Sequence, residues 1–404
     1  MKDEDRAEAA AAWANREGVD GLVWLDRGST DGESLVAAMP ERVFAGEASA
    51  WAELEDAISA FQDRRPGGCV AGWVEYSGAF CFGLYPMPAI WRHASQTWRF
   101  PGGVPDWFSA CEWDAKSPLW WGPLPLSPEM KAGQFIARVK AAQEQIAAGN
   151  IYQVNLAHRF TAAWPAGADP FALYGALRAR SPAPQAAYMA LGGSRIVLSS
   201  SPEEFLRFDG RRIRTRPIKG TRARGWTPAE DSEAARSLLA SPKEHAELLM
   251  ITDLMRNDLG RICEFGSVAT PELRRLEQFA QVQHLVATVE GCLLSGMSHA
   301  AALRACLPGG SITGAPKQRA MAIIESLEPV PRGLYTGTIG CFGWGDPSQS
   351  RFNIAIRTLI IENGAAHFHV GAGIVADSDP AQEWQETLDK AAGILIAAAL
   401  VYPP

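Results

Sequence analysis

Residues 195–219 constrain the fold more than any other stretch. Arg195-Ile-Val-Leu-Ser-Ser200 reads as a strand and leads to Ser201-Pro-Glu-Glu204. Phe205-Leu-Arg-Phe208, Asp209-Gly210 and Arg211 to Ile218 then read as a hairpin, because an Asp-Gly pair turns a ribbon back in two residues. Glu203 enters this hairpin and Lys219 leaves it, so the two are expected as neighbours at one end. The outgoing strand is basic and alternating (Arg212, Ile213, Arg214, Thr215) and runs into Pro217. It is expected to end at Lys219, with Gly220 turning the backbone. An amine fixed at a strand end suits a nucleophile, provided burial or cationic neighbours lower its pKa. Arg214, Arg216, Arg222 and Arg224 are placed to supply that field. On this stretch alone, a solvated lysine in a basic turn is the more common outcome.

The C-terminal part carries the same kind of signal. Tyr335 to Phe342, Phe352 to Ile361 and His367 to Val375 read as strands, the last two joined by Asn363-Gly364. Arg357 is the one charge within Ile354-Ala-Ile-Arg-Thr-Leu-Ile-Ile361, which points to a buried partner or an anionic ligand. Gly371-Ala-Gly373 allows close backbone approach near the end of the next strand.

Helices carry a set of carboxylates. Pro128 to Ala148 shows helical spacing of Phe135, Ile136, Val139, Ala142 and Ile146 and stops at Gly149-Asn150; Ile151 to His158 then alternates as a strand. Lys243 to Gly260 is a helix that sets Glu247 on one face with Met250, Ile251 and Leu254. Asp253, Arg256, Asn257 and Asp258 form either a buried network or a solvated flank. Asp377-Ser-Asp-Pro380 starts a last helix, on which Glu383 and Glu386 share a face. If these two face Glu247, the oxygen-rich group suits a hard divalent ion, Mg²⁺ before zinc. Leu307 to Lys317 is a Gly-rich loop leading into the helix Lys317 to Glu328. Its free backbone N–H groups suit an anion, but it lacks the spacing of a nucleotide phosphate loop.

Residues 1–125 differ in character. Ten of the fourteen tryptophans fall there, from Trp13 to Trp121, among short apolar runs broken by Gly and Pro. Core packing is the expected use of such rings. Trp120 to Pro128 is a Pro-rich connector and the expected boundary between a Trp-rich region, 1–125, and a second unit, 130–398. A net charge of −7 argues against nucleic acid as a partner. Seven scattered cysteines with no CxxC pair fit a reducing cytoplasm. The acidic N-terminus lacks the basic start of a signal peptide, and no apolar run reaches membrane-spanning length.

Several stretches together resemble the chorismate-utilising enzymes, the family of anthranilate synthase component I and aminodeoxychorismate synthase component I. They are Gly149 to Leu156, Ser200 to Glu203, Pro217-Ile-Lys-Gly-Thr221, Ala246 to Asp258, Pro308 to Lys317, Phe352 to Arg357, Gly373 to Pro380, and Glu383-Trp-Gln-Glu386 with Lys390. They run in family order over residues 130–398. The resemblance implies an α/β (α+β) unit of two packed antiparallel sheets flanked by helices. It implies that Glu247 and Glu386 hold Mg²⁺, with Glu383 nearby through water, and that the metal holds the ring carboxylate of chorismate. Arg357, Tyr335 and the Gly371 and Gly373 backbone match the grip on the enolpyruvyl carboxylate. His284 and Thr313 match other pocket positions, and Glu203 matches the general acid for the C4 hydroxyl, a role that needs a raised pKa.

Two positions speak to the reaction. Anthranilate synthases carry alanine in place of Lys219, whereas aminodeoxychorismate synthases carry the Pro-Ile-Lys-Gly-Thr form found here. Enzymes that add water to chorismate carry a lysine where this chain has Gln153. The expectation is an ammonia-dependent amination of chorismate at C4, with Lys219 as nucleophile. An anthranilate-forming enzyme and a catalytically silent chorismate-binding subunit are the alternatives. The chain carries no recognisable glutaminase module, so ammonia is expected from solution or from a separate glutaminase subunit. Trp24 to Ser29 gives no clear match to the tryptophan-binding motif of related enzymes.

Overall fold

The computed structural model describes residues 6–26, 32–111, 120, 122–193, 195–278 and 282–399, apart from the Ala223 side chain. Residues 27–29 of the tryptophan-motif stretch, Trp113 and Trp121 lie outside the described residues. Within them, eleven strands form one sheet and ten form a second, and every pairing is antiparallel. The first sheet runs from Gly314–Ala315 through Gln153–Ala163, Ala365–Ile374, Thr358–Glu362, Ile196–Ser201 and Gln185–Met189 to Val23–Asp26, Glu33–Ala37, Ala89–Arg92 and Thr97–Arg99. The second runs from Ile218–Ala223 through Val282–Cys292, Arg212–Arg216, Glu204–Asp209, Gln349–Ile354 and Thr338–Phe342 to Cys69–Val74, Phe80–Tyr85 and Arg42–Gly46. The N-terminal strands therefore extend both sheets.

The sheets face each other across a dry layer that includes Val23, Leu35, Ala71, Trp73, Val197, Ile339 and Ile360. Helices cover the outer faces. Arg6–Arg16, Pro170–Arg180 and Pro380–Ala399 pack on the first sheet, and Trp51–Arg64, Pro242–Gly260 and His299–Cys306 on the second. Trp13, Trp24, Trp51, Trp73, Trp91, Trp107 and Trp120 are all buried, so these rings serve as core. No described helix is long and apolar enough to cross a membrane.

Three expectations from the sequence change here. The helix expected from Pro128 begins at Ala132, because Ser127–Pro128 pairs with Thr161 and Phe160 as a short strand. Residues 352–361 do not form one strand. Gln349–Ile354 belongs to the second sheet and Thr358–Glu362 to the first, and the chain crosses between them at Ala355 to Arg357. Ile196–Ser201 and Glu204–Asp209 make the same crossing in the opposite direction at Pro202 and Glu203. The two crossings lie side by side. Ser200 N donates to the Arg357 carbonyl at 3.0 Å and Ile354 N to the Glu203 carbonyl at 3.1 Å. Third, Lys219 is not at a strand end. It lies within Ile218–Ala223, which pairs with Val282–Cys292.

Candidate active site

Two strongly implicated residues sit at the crossings. Glu203 is buried, and Ser311 Oγ donates to its Oε1 at 2.9 Å. Burial pushes the carboxyl up to about 7, against the Ser311 hydrogen bond and the charges of Lys219 and Lys390. Glu203 therefore holds a proton near neutrality, which a general acid requires. A carboxyl raised in this way favours the folded state most below its ordinary pKa of 4.5, and that contribution is lost as pH rises through about 7. Glu203→Gln should remove the dependence. Between pH 5 and 8 the difference in urea unfolding free energy between wild type and variant should change by roughly 2.5 kcal/mol. Parallel curves for the two proteins would show that Glu203 is ionised throughout.

Arg357 adopts φ +49° at the other crossing, a region that non-glycine residues seldom enter. Among the described residues its guanidinium has no hydrogen bond or ion pair, and burial lowers its pKa. A desolvated cation without a counter-charge is ready for an anion. His284 is close enough to feel that charge. Burial first and then Arg357 press its pKa down to about 4, opposed by a hydrogen bond to the Gly220 backbone, so the imidazole is neutral. Its Nδ1 lies 2.9 Å from Thr221 Oγ1.

Gly220 is where Ile218–Ala223 bulges. Lys219 pairs with Leu285 and Thr221 with the next residue, His284, which leaves Gly220 as the extra residue at φ +68°. A Cβ there would lie 2.7 Å from Leu238 Cδ1, a side-chain end that can shift, so it is the positive φ that favours glycine. The expected cationic field around Lys219 is absent. Arg214 pairs with Glu204, Arg216 with Glu277, Arg222 with Glu244 and Arg224 with Asp231. Lys219 Nζ instead lies 3.6 Å from Glu247 Oε2, and it would be 3.4 Å from a Cβ on Gly373.

Glutamates and lysines alternate around this point. Glu247 also faces Lys243 at 3.9 Å, and Glu386 binds Lys390 at 2.6 Å. Burial works against ionisation of Glu386, but Lys390, Lys219 and Lys243 outweigh it and lower its pKa. Glu383 moves the other way, raised by burial and by the Glu386 charge against a hydrogen bond from Ser378. Among the described residues, no three His, Cys, Asp or Glu side chains stand together as a metal cluster. The donor set still fits a hard cation. Glu383 Oε2 is buried without a partner, and Glu247 and Glu386 face the ammonium groups of Lys219, Lys243 and Lys390.

Gly371 and Gly373 line the wall opposite. A Cβ on Gly371 would lie 2.8 Å from the Tyr335 hydroxyl, and one on Gly373 would lie 2.6 Å from Gln153 Nε2. Lys390 Nζ donates to the Gly371 carbonyl at 3.0 Å. Tyr335 stacks on His369 at 5.4 Å, with Arg332 5.6 Å from its ring. Burial raises its phenol to about 12 despite Arg332 and Asn155. Thr313 is placed differently, since its hydroxyl lies 3.1 Å from the Gly309 carbonyl and closes the loop on itself. Of the polar group on Pro242–Gly260, Asp253, Arg256 and Asn257 are exposed, while Asp258 is buried against Lys317 at 2.7 Å. The sequence reading passed over Ser311, Lys243 and Asn155. Ser311 could have been found, because it lies in the Gly-rich loop already singled out.

Residues 114–396 match the family model described as chorismate binding enzyme. The chain belongs to that family. It is 44% identical over 294 residues to anthranilate synthase component 1 of Streptomyces coelicolor, covering 73% of this chain and 57% of the relative. It is 45% identical over 270 residues to aminodeoxychorismate synthase of Streptomyces griseus, covering 67% of this chain and 37% of the relative. The chain thus spans about half the length of the curated relatives it matches. The solved anthranilate synthase component I from Streptococcus pneumoniae TIGR4 superposes with a TM-score of 0.77 at 28% identity, covering 90% of this chain and 92% of that one.

Proposed function

We propose that this chain is an aminodeoxychorismate synthase component I, converting chorismate and ammonia to 4-amino-4-deoxychorismate on the way to 4-aminobenzoate and folate. The observation that carries the reading is Lys219, whose amine lies between Glu247 and the Gly373 wall and acts electrostatically on Glu203. In this reading the amine of Lys219, in its unprotonated form, bonds to ring C2 as the C4–O bond breaks. The hydroxyl takes the Glu203 proton and leaves as water. Ammonia then bonds to C4, the C2–N bond breaks, and Lys219 returns as a free amine. The surplus proton on the new amino group goes back to Glu203, so the balance is chorismate plus ammonia to product plus water. Two easier steps replace one difficult displacement.

Arg357, beside neutral His284, takes the enolpyruvyl carboxylate, with Tyr335 and the Gly371 and Gly373 backbone fixing its direction. Glu247 and Glu386, with Glu383 beside them, would hold Mg²⁺, which when bound would supply positive charge for the ring carboxylate. Ammonia comes from a separate glutaminase subunit in the cytoplasm. A second reading, anthranilate synthase component I, is favoured by the names of several similar relatives.

Incubation with chorismate, Mg²⁺ and an ammonium salt, followed by mass spectrometry, separates the readings. Aminodeoxychorismate is the expected product. Anthranilate as the main product would establish the second reading. Unchanged chorismate at saturating ammonia would leave a silent binding subunit. With glutamine in place of ammonia, the purified chain alone should be nearly inactive; equal use of both would remove the glutaminase partner.

A further inference from the structure

We infer that Ser311 is a positioning residue for this reaction, holding the Glu203 carboxyl in place and stabilising the carboxylate left when its proton departs. The inference rests on the proposed role of Glu203 as acid. Ser311 Oγ donates to Glu203 Oε1 at 2.9 Å, and it is the one hydroxyl recorded on that carboxylate among the described residues. A hydroxyl donor favours the charged form of its acceptor, so it eases proton release without supplying a charge.

The loop is built to bring that hydroxyl to this point. A Cβ on Gly310 would lie 2.7 Å from Met255 Cε and 3.0 Å from Leu254 Cβ, and one on Gly309 would lie 3.0 Å from Phe205. Without side chains, the loop seats directly between Pro242–Gly260 and the strand that follows Glu203. Thr313 closes it internally. Lys317 anchors its far end, with Nζ 2.7 Å from both oxygens of buried Asp258. The hydroxyl is therefore held by an assembly that, among the described residues, makes no other hydrogen bond to the carboxylate.

The Glu203 carboxyl can be titrated in the full chain by ¹³C NMR on glutamate-labelled protein, with Glu203→Gln identifying its signal. In Ser311→Ala the midpoint should rise by roughly 0.7 pH unit, the equivalent of one lost hydrogen bond. Ser311→Thr keeps a hydroxyl and should return the midpoint to near the wild-type value. Should Ser311→Ala not fold, Ser311→Cys offers a weak donor of similar size and should shift the midpoint in the same direction by less. In turnover, the high-pH limb of chorismate consumption, at fixed free ammonia, should move up with the titration. A chain that consumes chorismate but keeps the same midpoint without Ser311 overturns this inference alone. A wild-type chain that consumes no chorismate overturns the functional reading, and the reaction role of Ser311 with it.

Discussion

Lys219→Ala should cut aminodeoxychorismate formation by on the order of a hundredfold at saturating ammonia. The substitution removes the amine but leaves Glu203, the glutamates and Arg357 where they are. The residual rate comes from direct attack of ammonia on chorismate, and some anthranilate should appear with it. Lys219→Arg should not rescue, because a guanidinium stays protonated and its planar fork does not fit an amine's place beside Gly373. Loss of the Lys219–Glu247 pair at 3.6 Å has a stability effect as well, so folding should be checked by thermal unfolding in parallel. The direct measurement is trapping. Wild type quenched with chorismate in the absence of ammonia should yield a chorismate-derived adduct on the Lys219 peptide, and Lys219→Ala should not. No adduct, together with full activity in Lys219→Ala, would reduce Lys219 to a counter-ion for Glu247.

The second large effect is expected at the carboxylates. Glu247→Gln and Glu386→Gln each remove one charged oxygen while keeping the shape of the side chain. Each should lose most of the activity. Each should also raise the Mg²⁺ concentration for half-maximal rate by at least about tenfold, the loss typical of even an outer partner of a metal site. Glu383→Gln should be milder, since its Oε1 already accepts from Ser378 at 2.7 Å. A chelator should abolish wild-type activity, and added Mg²⁺ should restore it. Full activity in excess chelator would sink the metal assignment and leave the glutamates as partners for Lys219, Lys243 and Lys390.

Much of this was legible in the chain. The Asp209-Gly210 and Asn363-Gly364 turns both join paired antiparallel strands, and the helix bearing Glu247 runs Pro242–Gly260. Local signals suffice for such elements, because turn chemistry and helical periodicity act over a few residues. The strand switch at Arg357 was not legible. Apart from Arg357 and Thr358, Ile354 to Ile361 is apolar, and periodicity cannot tell a strand buried in one sheet from a run that leaves one sheet for another. The arginines around Lys219 were misread for a related reason. Arg216 meets Glu277, sixty-one residues away, and Arg222 meets Glu244 on Pro242–Gly260, twenty-two residues away, so their neutralisation is a tertiary fact. Patterning alone set Glu203 and Lys219 at one end of a hairpin; the resemblance added a reason to bring Arg357 to them.

The paired crossings carry a mechanical consequence. Glu203 and Arg357 sit on backbone that passes from one sheet to the other, tied by Ser200 N to Arg357 O and Ile354 N to Glu203 O. Neither can move without tearing hydrogen bonds on two sides. Amide protons at 200 and 354 should therefore be among the slowest to exchange with solvent, released only when the whole sandwich opens. The acid and the guanidinium form a fixed jaw. Any yielding needed for a ligand to enter has to come from the other jaw, the helices that carry Glu247, Glu383 and Glu386, whose side chains are held by ion pairs at Glu247 and Glu386 and by the Ser378 hydroxyl at Glu383 rather than by sheet.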